Sequence, residues 1–197
     1  MTRSRFPVFS RAAALGLFFL IAGACGDDGP AGPGDDGFTA NFTASVTGDV
    51  NTSIAGTAVF STGTDPETGE SAWVMYMTTG ADANQAFSSG ENVAFFGLGA
   101  PEERAYVLED ITASEEFPDG GAAGWVLLFD GQTISGIFGS TGGTLTITSL
   151  SANRMDGTFT VTATGTIFDG QEATEGTVTV QGSFQATSGL FLVPFGG

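Results

Sequence analysis

The sequence predicts an all-β domain, an antiparallel β-sandwich or a flattened β-barrel of about nine to ten strands, the sandwich being slightly favoured. Three observations carry that reading. Beyond residue 37, apolar and polar residues alternate with period two over most long runs, as strands with one buried face require. Three runs share one design, residues 143–148 (GTLTIT), 157–162 (GTFTVT) and 176–180 (GTVTV), with threonine on one face and Leu145, Ile147, Phe159, Val161, Val178 and Val180 on the other. Gly, Asp and Asn punctuate the chain at short intervals, and almost no helical period interrupts them.

Taken in order, residues 38–46 open the domain with Phe38, Ala40, Phe42, Ala44 and Val46 against Thr39, Asn41, Thr43 and Ser45. Residues 53–61 repeat the pattern after Gly48, Asp49 and Asn51, so the two runs predict a hairpin. The loop 62–71 (TGTDPETGES) has Asp65 and Pro66 where a turn starts, and Gly69 falls where a calcium loop would want an oxygen ligand. Residues 72–78 (AWVMYMT) and 124–129 (GWVLLF) are apolar on both alternating faces, which predicts central strands covered on each side. Residues 91–98 and 105–111 supply two strands between them, with Tyr106 and Leu108 on one face of the second. The long run from Met155 to Ile167 predicts a strand whose glycines permit a bend or bulge. Asp130-Gly131 and Asp169-Gly170 signal hairpin turns, and residues 187–197 (TSGLFLVPFGG) end in an apolar strand or clamp broken by Pro194.

The N-terminus has a different grammar. Arg3, Arg5 and Arg11 precede an eleven-residue apolar run, 12–22 (AAALGLFFLIA), which leads through Gly23 and Ala24 into Cys25, the single cysteine. A positive segment followed by an apolar run well short of the roughly 20 residues of a bilayer span is an export signal. At IAGAC the chain resembles the bacterial lipoproteins, although Ala22 stands where Leu is commonest. The resemblance implies lipidation of the Cys25 thiol, cleavage after Ala24, and a membrane partner reached through acyl chains, each buried methylene contributing about 0.8 kcal/mol. Residues 1–24 are then a removed signal peptide, 25–37 a lipidated cysteine and tether, and 38–197 a single β-domain. The tether, GDDGPAGPGDDG, has too few Gly triplets for a collagen helix. Its twelve residues reach about 20 Å as a coil and about 37 Å extended.

Charge and absences narrow the function. All 22 acidic residues lie beyond Cys25, where Arg104 and Arg154 are the only cations, so the mature chain carries a net charge of −20. Such a charge repels phosphate and argues against nucleic acid as a partner. There is no His or Lys, which excludes Ser-His and Cys-His nucleophile pairs, the usual zinc sites, Schiff-base chemistry and a P-loop lysine. No disulfide is possible within one chain, so stability must come from packing.

Two constellations remain as candidate sites. Trp73 and Trp125 read as core residues in their apolar runs, with exposed stacking platforms for sugar rings as the alternative. The acidic stretch Glu109, Asp110, Glu115, Glu116 and Asp119 could hold calcium if its oxygens converged, and otherwise reads as a solvated loop. No other cofactor is expected. The runs GTLTITSL (143–150), RMDGTF (154–159) and GSF (182–184) resemble uncharacterised bacterial lipoproteins that pair a lipobox and short polar tether with a small β-domain of unknown function. That resemblance implies no catalytic residue. The expected function is an envelope lipoprotein, placed in the outer membrane by Gly26 after the cysteine, whose non-enzymatic β-domain serves binding or structural support towards a protein or polysaccharide partner. The alternatives are a carboxylate-based polysaccharide hydrolase and a calcium-dependent adhesive module. A transmembrane barrel is disfavoured by threonine on the outer faces and by missing aromatic girdles.

Overall fold

Alternation of small apolar and hydroxyl side chains yields nine strands in the computed structural model, which describes residues 40–64, 69–80, 90–112, 120–170 and 172–189. All of these belong to the unit Phe38–Gly197. The strands are β1 (Asn41–Gly48), β2 (Thr52–Thr64), β3 (Ser71–Thr78), β4 (Asn92–Leu98), β5 (Ala105–Val107), β6 (Ala123–Asp130), β7 (Thr133–Leu150), β8 (Arg154–Asp169) and β9 (Glu172–Ser188). They form one sheet in the order β5-β7-β6-β4-β3-β2-β1-β9-β8, and a further β7–β8 pairing closes it into a ring. The nine strands and the all-β class agree with the sequence. Closure favours the barrel description over two separate sheets.

Closure rests on three long strands. β8 pairs antiparallel with β7 from Leu150↔Met155 to Gly136↔Ile167, and with β9 from Arg154↔Thr187 to Asp169↔Glu172. β1 then joins β9 to β2, with Phe42 opposite both Phe184 and Gly56. Beyond the start of β1, the end of β9 meets β2 directly in a short parallel pairing, Val59↔Thr187 and Phe60↔Ser188. A closed sheet leaves few unpaired edges for another chain to template on.

The inward residues fill the ring. Phe42, Trp73, Met75, Phe95, Phe138, Leu145, Ile147, Met155, Phe159 and Phe184 are all buried in one cluster. Phe95 of β4 meets Phe159 of β8, which is not its sheet neighbour, edge to face at 5.2 Å between centroids. Opposite walls therefore touch through aromatic side chains, an arrangement that adds to area burial. An apolar, filled interior is the reverse of the polar lumen of a membrane barrel.

Two strand lengths differ from expectation. β7 is an 18-residue strand of which the sequence marked only 143–148. Register shifts between Ser140 and Gly142 and between Ile147 and Ser149 break its period, so no single alternation runs through it. At Gly143, φ is +125° and an ideal Cβ would lie 2.1 Å from the Thr160 carbonyl oxygen, so only glycine fits there. β5 stops at Val107, short of the expected Ile111, because the chain turns to a parallel bridge, Leu108↔Ala122. That bridge is held by Ala122 N–H to Val107 O at 3.2 Å and Glu109 N–H to Ala122 O at 2.9 Å. The Asp-Gly turns behave as expected, with φ +63° at both Gly131 and Gly170. Of the expected terminal strand or clamp 187–197, Thr187 and Ser188 belong to β9, while residues 190–197 lie outside the described residues, as do the proposed turn at Asp65-Pro66, the signal and the tether.

The core assignment has a direct consequence for stability. Phe159→Ala is expected to lower unfolding free energy by about 3–5 kcal/mol, whereas Thr160→Ala next to it, on an outward position, should change it by less than about 0.5 kcal/mol. Urea unfolding of the two variants checks the contrast, and similar losses would place Phe159 outside the core.

Candidate functional site

The outer wall has two chemically different halves. Across β8, β9, β1 and β2 the outward rows are Thr158, Ser183, Thr43, Ala55 and Thr160, Gln181, Ser45, Ser53, without a titratable group. A shallow open hollow of about 480 Å³ lies there, lined by residues including Thr43, Ser45, Ser53, Gln181 and Ser183. It offers hydroxyls and an amide and has no acid, base or nucleophile pair.

Across β2, β3, β4 and β6 the corresponding outward row reads Val59, Tyr76, Ala94, Trp125. Leu127 and Ile137 pair in the next row, and Phe129 with Ile134 beyond it. The strands that the sequence marked as apolar on both faces thus point one face into the ring and the other outward. Val59, Tyr76 and Ala94 form a second buried cluster separate from the core. Of the large apolar residues exposed among the described residues, Trp125 (41%) lies on this row, while Val107 (66%), Ile134 (37%) and Phe168 (38%) lie on β5, β7 and β8. An aromatic residue held on a strand amid aliphatic neighbours is a preformed contact surface.

Polar groups buried beside this row are satisfied locally. Tyr76 Oη donates to Asn92 Oδ1, and Asn92 Nδ2 donates to Gly90 O at 2.7 Å. Thr79 Oγ1 donates to Glu91 Oε2 at 2.7 Å and accepts from Glu91 N–H at 2.9 Å, while Gly80 N–H donates to Thr78 Oγ1 at 3.0 Å. These bonds pin the ends of β3 and β4 together. Burial pushes the Tyr76 phenol well above its ordinary value, and a hydrogen bond with Thr78 pulls partly back.

The structure separates the two tryptophans. Trp73 is fully buried and meets Tyr106 edge to face at 5.4 Å, as the core reading expected. Its Nε1 is buried with no hydrogen-bond partner, at a cost of about 1–3 kcal/mol. A sugar platform at Trp73 is therefore excluded. Trp125 is corrected in the opposite direction: it is not core, because its position on β6 shares the outward parity of Ala94.

The acidic stretch is described only in part. Ser140 ties it to the barrel, its buried hydroxyl donating to Glu109 O at 2.7 Å and accepting from Gly124 N–H at 3.1 Å. Asp110 Oδ1 accepts from Thr112 N–H at 2.9 Å and Thr112 Oγ1 at 2.6 Å, the short turn typical of aspartate. Between them Ile111 lies over Gly139, 3.1 Å from where a Cβ would be, and Gly139 is the β7 partner of Trp125. Glu109 and Asp110 are thus held on the Trp125 side of the barrel. Glu115, Glu116 and Asp119 lie outside the described residues, and among the described residues no three His, Cys, Asp or Glu are placed to hold a metal ion. Sequence reasoning missed Ser140, Tyr76, Asn92 and Ile111. The run Val74, Tyr76, Thr78 on the second face of β3 was the available signal.

The chain matches no protein-family model, no curated protein and no solved structure.

Two measurements follow from this geometry. Acrylamide should quench Trp125 and leave Trp73 nearly untouched, so Trp125→Phe removes the quenchable fraction of fluorescence; strong quenching that survives that substitution contradicts the assignment. Because the folded pKa of Tyr76 is raised, the unfolded chain releases this proton first, near about pH 10. The contribution is complete below that pH and declines as pH rises towards the folded value. Tyr76→Phe should flatten the fall in stability above pH 10, read from melting temperature against pH.

Proposed function

We propose that this protein is a bacterial envelope lipoprotein, anchored through acylated Cys25, that presents a non-enzymatic β-domain to a binding partner at the membrane surface. The observation that carries the domain's part is the two-faced outer wall, with half-exposed Trp125 at the open end of an apolar row. The anchor's part rests on the Arg3, Arg5, Arg11 segment, the apolar run and the small residues before Cys25. Placement in the outer membrane rests on Gly26 after the cysteine, by analogy with enteric sorting.

The chemistry available at the surface supports binding over turnover. The described carboxylates near Trp125 are Glu109, which is exposed, and Asp110, already engaged by Thr112. General acid–base hydrolysis needs two carboxylates facing each other across a cleft, one of them held protonated. A rigid barrel with an aromatic outer residue, on a tether reaching about 20–37 Å, matches the geometry of a presented binding module. Its strong negative charge keeps nucleic acid and anionic surfaces away and leaves neutral or cationic partners.

Expression of the natural chain beside Cys25→Ser tests the anchor. The natural chain should carry acyl mass and sediment with membranes, while the variant should lack that mass and be released. An unlipidated, soluble natural chain would leave a secreted domain as the better reading.

A further inference from the structure

The β6–β7 and β8–β9 hairpins carry the same tetrapeptide at their turns, Phe-Asp-Gly-Gln at 129–132 and at 168–171, and they turn at the same end of the barrel. Their neighbours stop short of them. β4 pairs with β6 only as far as Asn92↔Leu127, and β1 pairs with β9 only as far as Gly48↔Val178, so the ends of β6, β7, β8 and β9 project as a four-stranded lip. Gly131 and Gly170, both at φ +63°, fix the two turns.

The outer face of this lip is apolar. Phe129 pairs with Ile134 across β6 and β7, and Leu127 pairs with Ile137 one row further in. On β8, Val161 and Ala163 point into the core, so Phe168 shares the outward parity of Thr164 and Thr166. It follows Ile167, the partner of Gly136, and so comes alongside the start of β7. Adjacent strands lie about 5 Å apart, which makes Phe129, Ile134 and Phe168 one row, with Trp125 on the same face of β6. Ile134, Phe168 and Trp125 are 37%, 38% and 41% accessible. Such a group on one face is more than a scatter of surface apolar residues, and side chains on preformed strands and tight turns lose little freedom on contact.

The fringe of the lip carries one sign of charge. Asp130, Asp169, Glu172 and Glu175 are exposed on the same two hairpins. The two arginines beyond Cys25 stand at the other end of the barrel. Arg154 begins β8 and pairs with Asp156 at 2.8 Å, while Arg104, whose carbonyl accepts from Ile147 N–H, pairs with Glu102 at 3.4 Å. A second copy docking by the same patch would set carboxylates against carboxylates, and an anionic lipid surface is repelled for the same reason. A partner with cations beside its apolar side chains is favoured on both counts.

We propose that this lip is a docking surface for a protein segment in which apolar side chains alternate with Lys or Arg. The apolar side chains are received on the Phe129, Ile134, Phe168 row beside Trp125, and the cations lie against the four carboxylates. The inference rests on the binding reading above, within which it names the surface and the chemistry of the partner, and it is independent of the lipid anchor.

The test is an NMR titration of the full-length Cys25→Ser chain with three short synthetic peptides in which Phe alternates with Lys, with Ser or with Glu. The Phe-Lys peptide should bind saturably and shift the Trp125 indole and the Ile134 and Ile137 methyl signals. The Phe-Ser peptide should bind several-fold more weakly and the Phe-Glu peptide not at all, and added salt should weaken the Phe-Lys complex. Ile134→Ser combined with Phe168→Ser should abolish binding, whereas Asp169→Asn combined with Glu172→Gln should bring the Phe-Lys affinity down to that of Phe-Ser. All four positions are exposed, so the melting temperatures should stay close to that of the parent. Equal binding of Phe-Lys and Phe-Ser overturns the proposal. Shifts confined to the threonine wall overturn the docking surface and leave the binding module standing, while the absence of shifts with every peptide removes the binding reading as well. Dimerisation, or attachment to phosphatidylcholine vesicles, that Phe168→Ser abolishes would give the lip to a second copy or to lipid and overturn the proposal equally.

Discussion

The pairing of β7 with β8 is the constraint on which the rest depends. It turns a nine-stranded sheet into a ring, and it gives every strand of that ring two different faces, one turned to a closed interior and one to the outside. Without it β7 and β8 would be long unpaired edges rich in β-branched residues, the kind of surface that recruits other chains. Closure also explains how a domain that can form no internal disulfide holds together. Phe95, Phe159 and Phe184 meet across the enclosed space, with centroids 5.2 Å apart for the first pair and 6.5 Å for the second. The core is a contact between opposite walls.

Once the interior is closed, function is pushed to the outer surface. In the β8, β9 and β1 region the middle of that surface is threonine, serine and glutamine, with the Arg154–Asp156 ion pair at one end of β8 and Glu172 and Glu175 at the start of β9. In the β3, β4 and β6 region it is aliphatic and aromatic, and hydrogen bonds through Tyr76, Asn92, Thr78 and Thr79 keep polar groups satisfied beneath it. A domain with one solvated and one apolar side offers two chemically different surfaces for contact. Among the described residues the acids lie on loops and towards strand ends.

Much of this was legible in residues. Strand class, the hairpin turns at Gly131 and Gly170, and the inward sets of β1, β8 and β9 follow from period-two alternation, because each of those strands has one polar face. Legibility fails where a strand is apolar on both faces. In β3 and β6 the pattern says that both sides are apolar, and it does not say which side is the interior, so Trp73 and Trp125 looked alike. Their roles differ because β3 pairs Trp73 with Gly97 on the inward parity while β6 pairs Trp125 with Ala94 on the outward one. Register is a long-range property that local sequence does not carry. β7 hid for the same reason: its glycines and bulges erase the period, and only pairing with β8 makes it one strand. Ser140 could not be singled out among the chain's serines, since its role depends on Glu109 lying 31 residues away along the chain.

Amide hydrogen exchange along β8 tests closure most directly. Successive amides of a strand point to alternate neighbours, so in a ring both sets are bonded, one towards β7 and the other towards β9. Slow exchange at every position from Thr158 to Thr164 is the predicted result. Alternating slow and fast exchange over that stretch would show that β8 has a free edge, that the sheet is open, and that the two-sided wall derived from its closure is wrong.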